Sequence, residues 1–79
     1  MNILNEIIEI VSSVLECSTS ELNEQSGLLN TFNWDSLNHV TIVYEIEEHF
    51  GITIPDEKIV SLQCIKDFVE FVNKEKNYA

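Results

Sequence analysis

Residues 3–15, "ILNEIIEIVSSVL", constrain the fold more than any other stretch of the chain. At 100° per residue, Ile3, Leu4, Ile7, Ile8, Ile10, Val11, Val14 and Leu15 share one arc, while Asn5, Glu6, Glu9, Ser12, Ser13 and Glu16 fill the other. A segment patterned this way is a helix that must bury one side. A second apolar series, Ile65, Phe68, Val69 and Val72, lies on one stripe of a C-terminal helix. Between them a helix is expected from Asp35 or Ser36 to Phe50, because Gly51 is a natural left-handed stop and the "ITI" that follows is β-branched. Pro55 fits the first position of a short helix, with Asp56 and Glu57 well placed against its dipole. The start of the last helix is poorly signalled, and only Ser61 offers a capping oxygen there.

These segments predict an all-α fold, a small four-helix bundle of three main helices plus one short helix. A loop of about 18 residues separates the first two main helices, well beyond the ~2–8 usual in bundles, so it must pack as structure or do a job. Within it, Ser18 and Glu21 have capping-box spacing, and Leu22, Leu28, Leu29 and Phe32 are expected to pin the loop to the core. The 79 residues make a single domain, 1–79, with room for one modest core and none for a second lobe around a cleft.

Charge narrows the function. Fourteen acids against four lysines and no arginine give a net of −10. Eleven of the acids fall in residues 1–57, which hold no base, while Lys58, Lys66, Lys74 and Lys76 all lie beyond. Such a field repels nucleic acid and anionic membrane and draws basic protein surfaces in from a distance. Residues 1–15 carry no positive charge, and glutamates interrupt their apolar run, so neither a signal peptide nor a membrane span is expected; a cytoplasmic monomer is. Cys17 and Cys64 have no C-x-x-C or Cys/His spacing, which argues against a zinc site or redox pair and leaves two buried thiols. The D-x-D-x-D-G calcium pattern is absent as well.

The helix beginning near Ser36 has two apolar stripes. Ile42, Val43, Ile46 and Phe50 form a core face, with His39 in line as a packed, hydrogen-bonded residue. Leu37, Val40 and Tyr44 form a second line nearly opposite, beside Thr41 and running into Glu47 and Glu48. An apolar strip edged by carboxylates suits a partner that is greasy in the middle and basic around the rim. Asp35, Ser36 and His39 do not make a hydrolytic triad, because one exposed helical turn supplies neither pocket nor water exclusion. Ser36 itself is either a helix-start residue or a place where something is attached. A phosphate ester suits the second role, since the positive end of the helix and its unpaired amides would face it.

The "DSL" of Asp35, Ser36 and Leu37, the following "VTIVYEIEEHFGITIPDE", and their place between two amphipathic helices resemble the acyl carrier protein family. The resemblance runs through the whole chain and is most specific from Asp35 to Glu57. It implies that Ser36 receives a 4′-phosphopantetheine arm from coenzyme A, flanked by Asp35 and Leu37, and that acyl groups ride on the arm's thiol as thioesters. It also implies a carrier that does no chemistry itself, whose partners are a phosphopantetheinyl transferase, an acyl- or aminoacyl-loading ligase and downstream acyl-processing enzymes. The second stripe becomes the docking surface, with Val40, Thr41 and Tyr44 on it and Asp35, Glu47, Glu48 and Asp56 facing basic patches.

Several residues depart from the family pattern. Asn33 and Trp34 replace a common Gly-Ala; asparagine tolerates a left-handed backbone, and Trp34 is expected to add partner surface beside Ser36. Asn38 and Thr41 stand where fatty-acid carriers often have acids. These changes point to a dedicated partner set in polysaccharide, polyketide or peptide biosynthesis. An aminoacyl or peptidyl carrier and an unmodified acidic interaction module are the alternative readings.

Overall fold

Asn2 is extended, and its side-chain oxygen accepts the Asn5 amide at 3.1 Å, so the first helix, α1 (Ile3–Leu15), begins capped. In this computed structural model, which describes residues 2–76, three further helices follow: α2 (Ser36–Phe50), α3 (Asp56–Ser61) and α4 (Ile65–Lys76). The expected all-α bundle of three main helices and one short one is what forms.

The wide apolar arc of α1 has a structural cause, since α1 packs against both α2 and α4. Ile3, Ile7, Val11 and Leu15 form its buried centre, and Leu4, Ile8, Ile10 and Val14 are half-buried flanks. They meet Ile42, Val43, Ile46 and Phe50 from α2 and Ile65, Phe68 and Val72 from α4. Ile7 and Val11 are wholly enclosed, and each such side chain contributes ~1.5–3 kcal/mol through area removed from water. The far end of the bundle is closed by Lys76, whose Nζ donates to the Phe50 carbonyl at 2.9 Å, one of the carbonyls left open at the end of α2. On the outside, His49 is exposed as expected, with Nε2 donating to Glu6 Oε1 at 2.8 Å across α1 and α2.

The long loop packs as structure. A 3-10 turn at Thr19–Glu21 carries the expected capping box between Ser18 and Glu21. Farther on, Gly27 and Cys64 pair in an isolated antiparallel bridge. Leu28 N–H donates to the Gln63 carbonyl, while Ser26 and Glu24 carbonyls accept the amides of Ile65 and Lys66, all at 2.9 Å. This explains the silent start of α4. Its first-turn amides are satisfied by backbone from the loop, and Gln63 N–H adds a bond to Asp67 Oδ2 at 3.0 Å.

Several expectations need correction. Ser61 does not cap α4; it ends α3 and its hydroxyl donates to the Lys58 carbonyl. Pro55 lies one position earlier than expected, as the cap of α3, because its extended ψ of 149° keeps it outside the helix. Leu22 is buried and Leu28 half-buried, but Leu29 and Phe32 point into solvent, Phe32 at 95% exposure. The reason is a tight turn in which the Gly27 carbonyl accepts the amides of both Asn30 and Thr31, which rolls the next residues outward. Cys17 and Cys64 are half-buried free thiols, not fully buried ones. Burial first, and the Glu21 carboxylate second, push the Cys17 thiol above its usual range.

Candidate functional site

The backbone entering α2 twists at Asn33, which holds φ at 72°, a left-handed conformation asparagine tolerates better than most residues. Its Nδ2 donates to the Leu15 carbonyl at the end of α1, 3.1 Å away. Its own carbonyl accepts from Asn38 Nδ2 at 2.8 Å, which ties the twist to the first turn of α2.

Trp34 comes next and does not provide partner surface. It is 3% exposed, the reverse of the expectation, and belongs to the hydrophobic core. A buried indole needs a partner for its N–H, and it has one in His39 Nδ1 at 3.0 Å. Because that nitrogen accepts, the imidazole proton lies on Nε2, which donates to the Ile59 carbonyl in α3 at 2.9 Å. The His39 ring also lies 5.8 Å from that of Phe68 in α4. His39 is therefore the packed, hydrogen-bonded core residue the pattern indicated. Both its nitrogens are engaged, so it is no base for Ser36.

Asp35 decides what Ser36 is. Asp35 is extended and caps α2: its Oδ1 accepts the Asn38 amide at 2.9 Å, and its carbonyl accepts that of His39 at 2.8 Å. Ser36 is thus the first residue inside the helix and has no capping duty. It is exposed, and its hydroxyl makes no hydrogen bond among the described residues. The amides of the first turn and the positive end of the helix lie beside it.

The rest of the expected face divides. Leu37 and Tyr44 are strongly exposed, at 76% and 67%, and Val40 is exposed to a lesser degree. Thr41, Glu48 and Asp56 are exposed too, although the Thr41 hydroxyl donates back to the Leu37 carbonyl at 3.2 Å. Glu47 is different. It is half-buried, and its Oε2 accepts the Ile54 amide at 2.6 Å, anchoring the stretch between α2 and α3, so it is not the free carboxylate expected. Sequence reasoning missed Val60 of α3, a large exposed apolar side chain, and the Asn33–Asn38 clamp.

A family model described as the phosphopantetheine attachment site matches residues 5–72. The acyl carrier protein of Micrococcus luteus is 32% identical over 71 residues, covering 90% of this chain and 88% of that one. The chain belongs to the acyl carrier protein family. The Myxococcus xanthus acyl carrier protein is 33% identical over 70 residues, 89% of each chain. Mitochondrial acyl carrier protein 3 of Arabidopsis thaliana is 37% identical over 73 residues, and there the match spans 56% of the longer relative.

Membership implies a 4′-phosphopantetheine group and dealings with modifying and acyl-processing enzymes. When bound, that group supplies a flexible arm ending in a thiol, on which acyl groups are held as thioesters. The residues present fit it: the uncommitted, exposed Ser36 hydroxyl stands at a helix N-terminus suited to a phosphate. Asp35 fixes the helix start, while Asn33, Trp34 and Asn38 hold the turn. No helix among the described residues is long and apolar enough to cross a membrane.

Proposed function

We propose that Ser36 carries the 4′-phosphopantetheine arm and that the protein presents acyl intermediates to partner enzymes of fatty-acid, polyketide or another specialised biosynthesis. The observation that supports this most is the division of labour at the helix start. Asp35 does the capping, so the neighbouring serine hydroxyl is exposed with no structural role to explain it. In this reading the protein is a carrier and leaves the chemistry to its partners, which is supported by the one imidazole near Ser36 being buried with both nitrogens bonded.

Leu37, Val40 and Tyr44, with Thr41, Glu48 and Asp56 around them, form the docking face. Exposed ion pairs contribute ~0–1 kcal/mol each and are screened by salt, so they speed encounter without prolonging it. A tethered cargo then reaches each docked enzyme at high effective concentration.

The test is incubation with coenzyme A, Mg²⁺ and a broad-specificity phosphopantetheinyl transferase, followed by intact mass. One added arm on the wild type and none on Ser36→Ala is the expected result. An unmodified wild type, or an arm that survives the substitution, overturns the reading.

A further inference from the structure

We infer that this carrier keeps its cargo outside the bundle, in solvent, and is therefore suited to short or polar acyl groups. The inference rests on Ser36 bearing the arm and concerns what lies beneath it. An apolar chain attached there has two places to go: water, or the seam between α2 and its neighbours at the same end of the helix.

That seam is filled and hydrogen-bonded shut. His39 lies three residues along from Ser36, on nearly the same side of the helix and one turn deeper. Its ring is buried, accepts the Trp34 indole N–H at 3.0 Å and donates to the Ile59 carbonyl at 2.9 Å. This chain of bonds joins the turn before Ser36 to α2 and α2 to α3. Phe68, fully buried in α4, closes the space behind it.

A hydrocarbon entering here would have to displace the indole and break both bonds. It would leave a buried indole N–H and a buried imidazole without partners, and a partly buried carbonyl unpaired, and a hydrocarbon cannot replace these bonds. A large ring packed against polar groups is a poor substitute for the yielding aliphatic lining that a sliding alkyl chain needs. Left in water, a long alkyl chain is unfavourable in proportion to its area, so the cargo that matches this domain is short or carries polar groups of its own.

The experiment loads the wild-type protein from acetyl- and octanoyl-coenzyme A with a broad-specificity transferase and verifies each arm by intact mass. The two loaded forms are then compared by thermal melting and by retention on a hydrophobic-interaction column. The expected outcome is one melting temperature for both forms and longer retention for the octanoyl form, whose chain is exposed. A higher melting temperature for the octanoyl form, with retention matching the acetyl form, would overturn the inference while leaving the arm on Ser36 in place. Failure to add any arm would remove the proposed function and this inference together. In Trp34→Ala, which opens the seam, the octanoyl arm is expected to raise the melting temperature above that of the acetyl form. Equal melting in that variant would show that the indole is not what excludes the chain. Should the variant not fold, the wild-type comparison decides alone.

Discussion

Asn38 donates its side-chain amide to the Asn33 carbonyl across 2.8 Å, bridging the left-handed turn to the helix that presents Ser36. An acid at position 38, as many fatty-acid carriers have, offers no hydrogen for that bond. The Asn38→Asp variant is expected to lose about 1 kcal/mol from the broken bond and to regain only part of it from a carboxylate in the first turn of a helix. Urea denaturation should therefore show a lower midpoint. A midpoint at or above wild type would mean that the charge–dipole gain outweighs the bond.

The two neighbours at the helix start should respond unequally to the same truncation. Asp35→Ala removes the cap of α2 and is expected to cost about 1 kcal/mol, within the ~0.5–2 known for such caps. Ser36→Ala removes an exposed hydroxyl with no partner and should stay within ~0.5 kcal/mol of wild type. Melting curves of both variants, without any arm, test the assignment. Equal losses would make Ser36 a structural residue.

The helices were legible because their signals are local. α1 follows from its apolar arc, and α2 ends at Gly51 with φ at 66°, where a left-handed residue was expected. The start of α4 was not legible, because the acceptors for Ile65 and Lys66 amides are the Ser26 and Glu24 carbonyls, brought there only by the folded loop. The same holds for the loop's inward side chains. No periodicity runs through Leu28, Leu29, Phe32 and Trp34, and which of them turns inward depends on the turn at Gly27 and the twist at Asn33. Trp34 looked like added surface because it replaces a small residue, but its bond to His39 shows why the core accepts it. At the site, Asp35, Ser36, Leu37 and Tyr44 lie where the sequence indicated, and Glu47 does not, since nothing local foretells its bond to Ile54.

Gly27 is needed for close approach. A methyl group added there would run into the Gln63 carbonyl and lie 2.9 Å from Cys64 Cα and Cβ, in the bridge that satisfies the start of α4. Backbone cannot yield as a side chain does, so Gly27→Ala is expected to cost ~1–3 kcal/mol. Hydrogen exchange adds a local signature: the Ile65 and Lys66 amides should lose protection more than those of α1. Uniform loss, or none, would show that the loop and α4 are not coupled through this bridge.

Cys17 gives a pH dependence. Burial, and then Glu21, push its thiol above the usual range, so a smaller fraction is thiolate at a given pH than for a free cysteine. Alkylation of Cys17 in the folded protein should lag behind the same thiol in urea, and the gap should narrow as pH rises through the raised value. Glu21→Gln should speed the folded-state reaction modestly, because the carboxylate is the lesser cause. Equal rates in folded and unfolded protein at pH 8 would contradict this placement.

Glu16 ends α1 in the left-handed region, with φ at 58°, and it is not a glycine. Its amide and that of Cys17 both turn back to the Ser12 carbonyl, so the conformation closes the helix and is not free to relax. A non-glycine residue held there costs ~1–2 kcal/mol, and a carboxylate beside the negative end of the helix adds a further unfavourable contribution. Glycine removes both at the expense of ~0.4–1 kcal/mol of extra freedom in the unfolded chain. Glu16→Gly is accordingly expected to raise the stability by about 0.5–1 kcal/mol, which for a domain of this size is a few degrees in Tm. Glu16→Gln separates the causes, since it removes the charge and keeps the strain, and it should recover only the smaller share. If Gln stabilises as much as Gly, the charge and not the backbone is what burdens this end of α1.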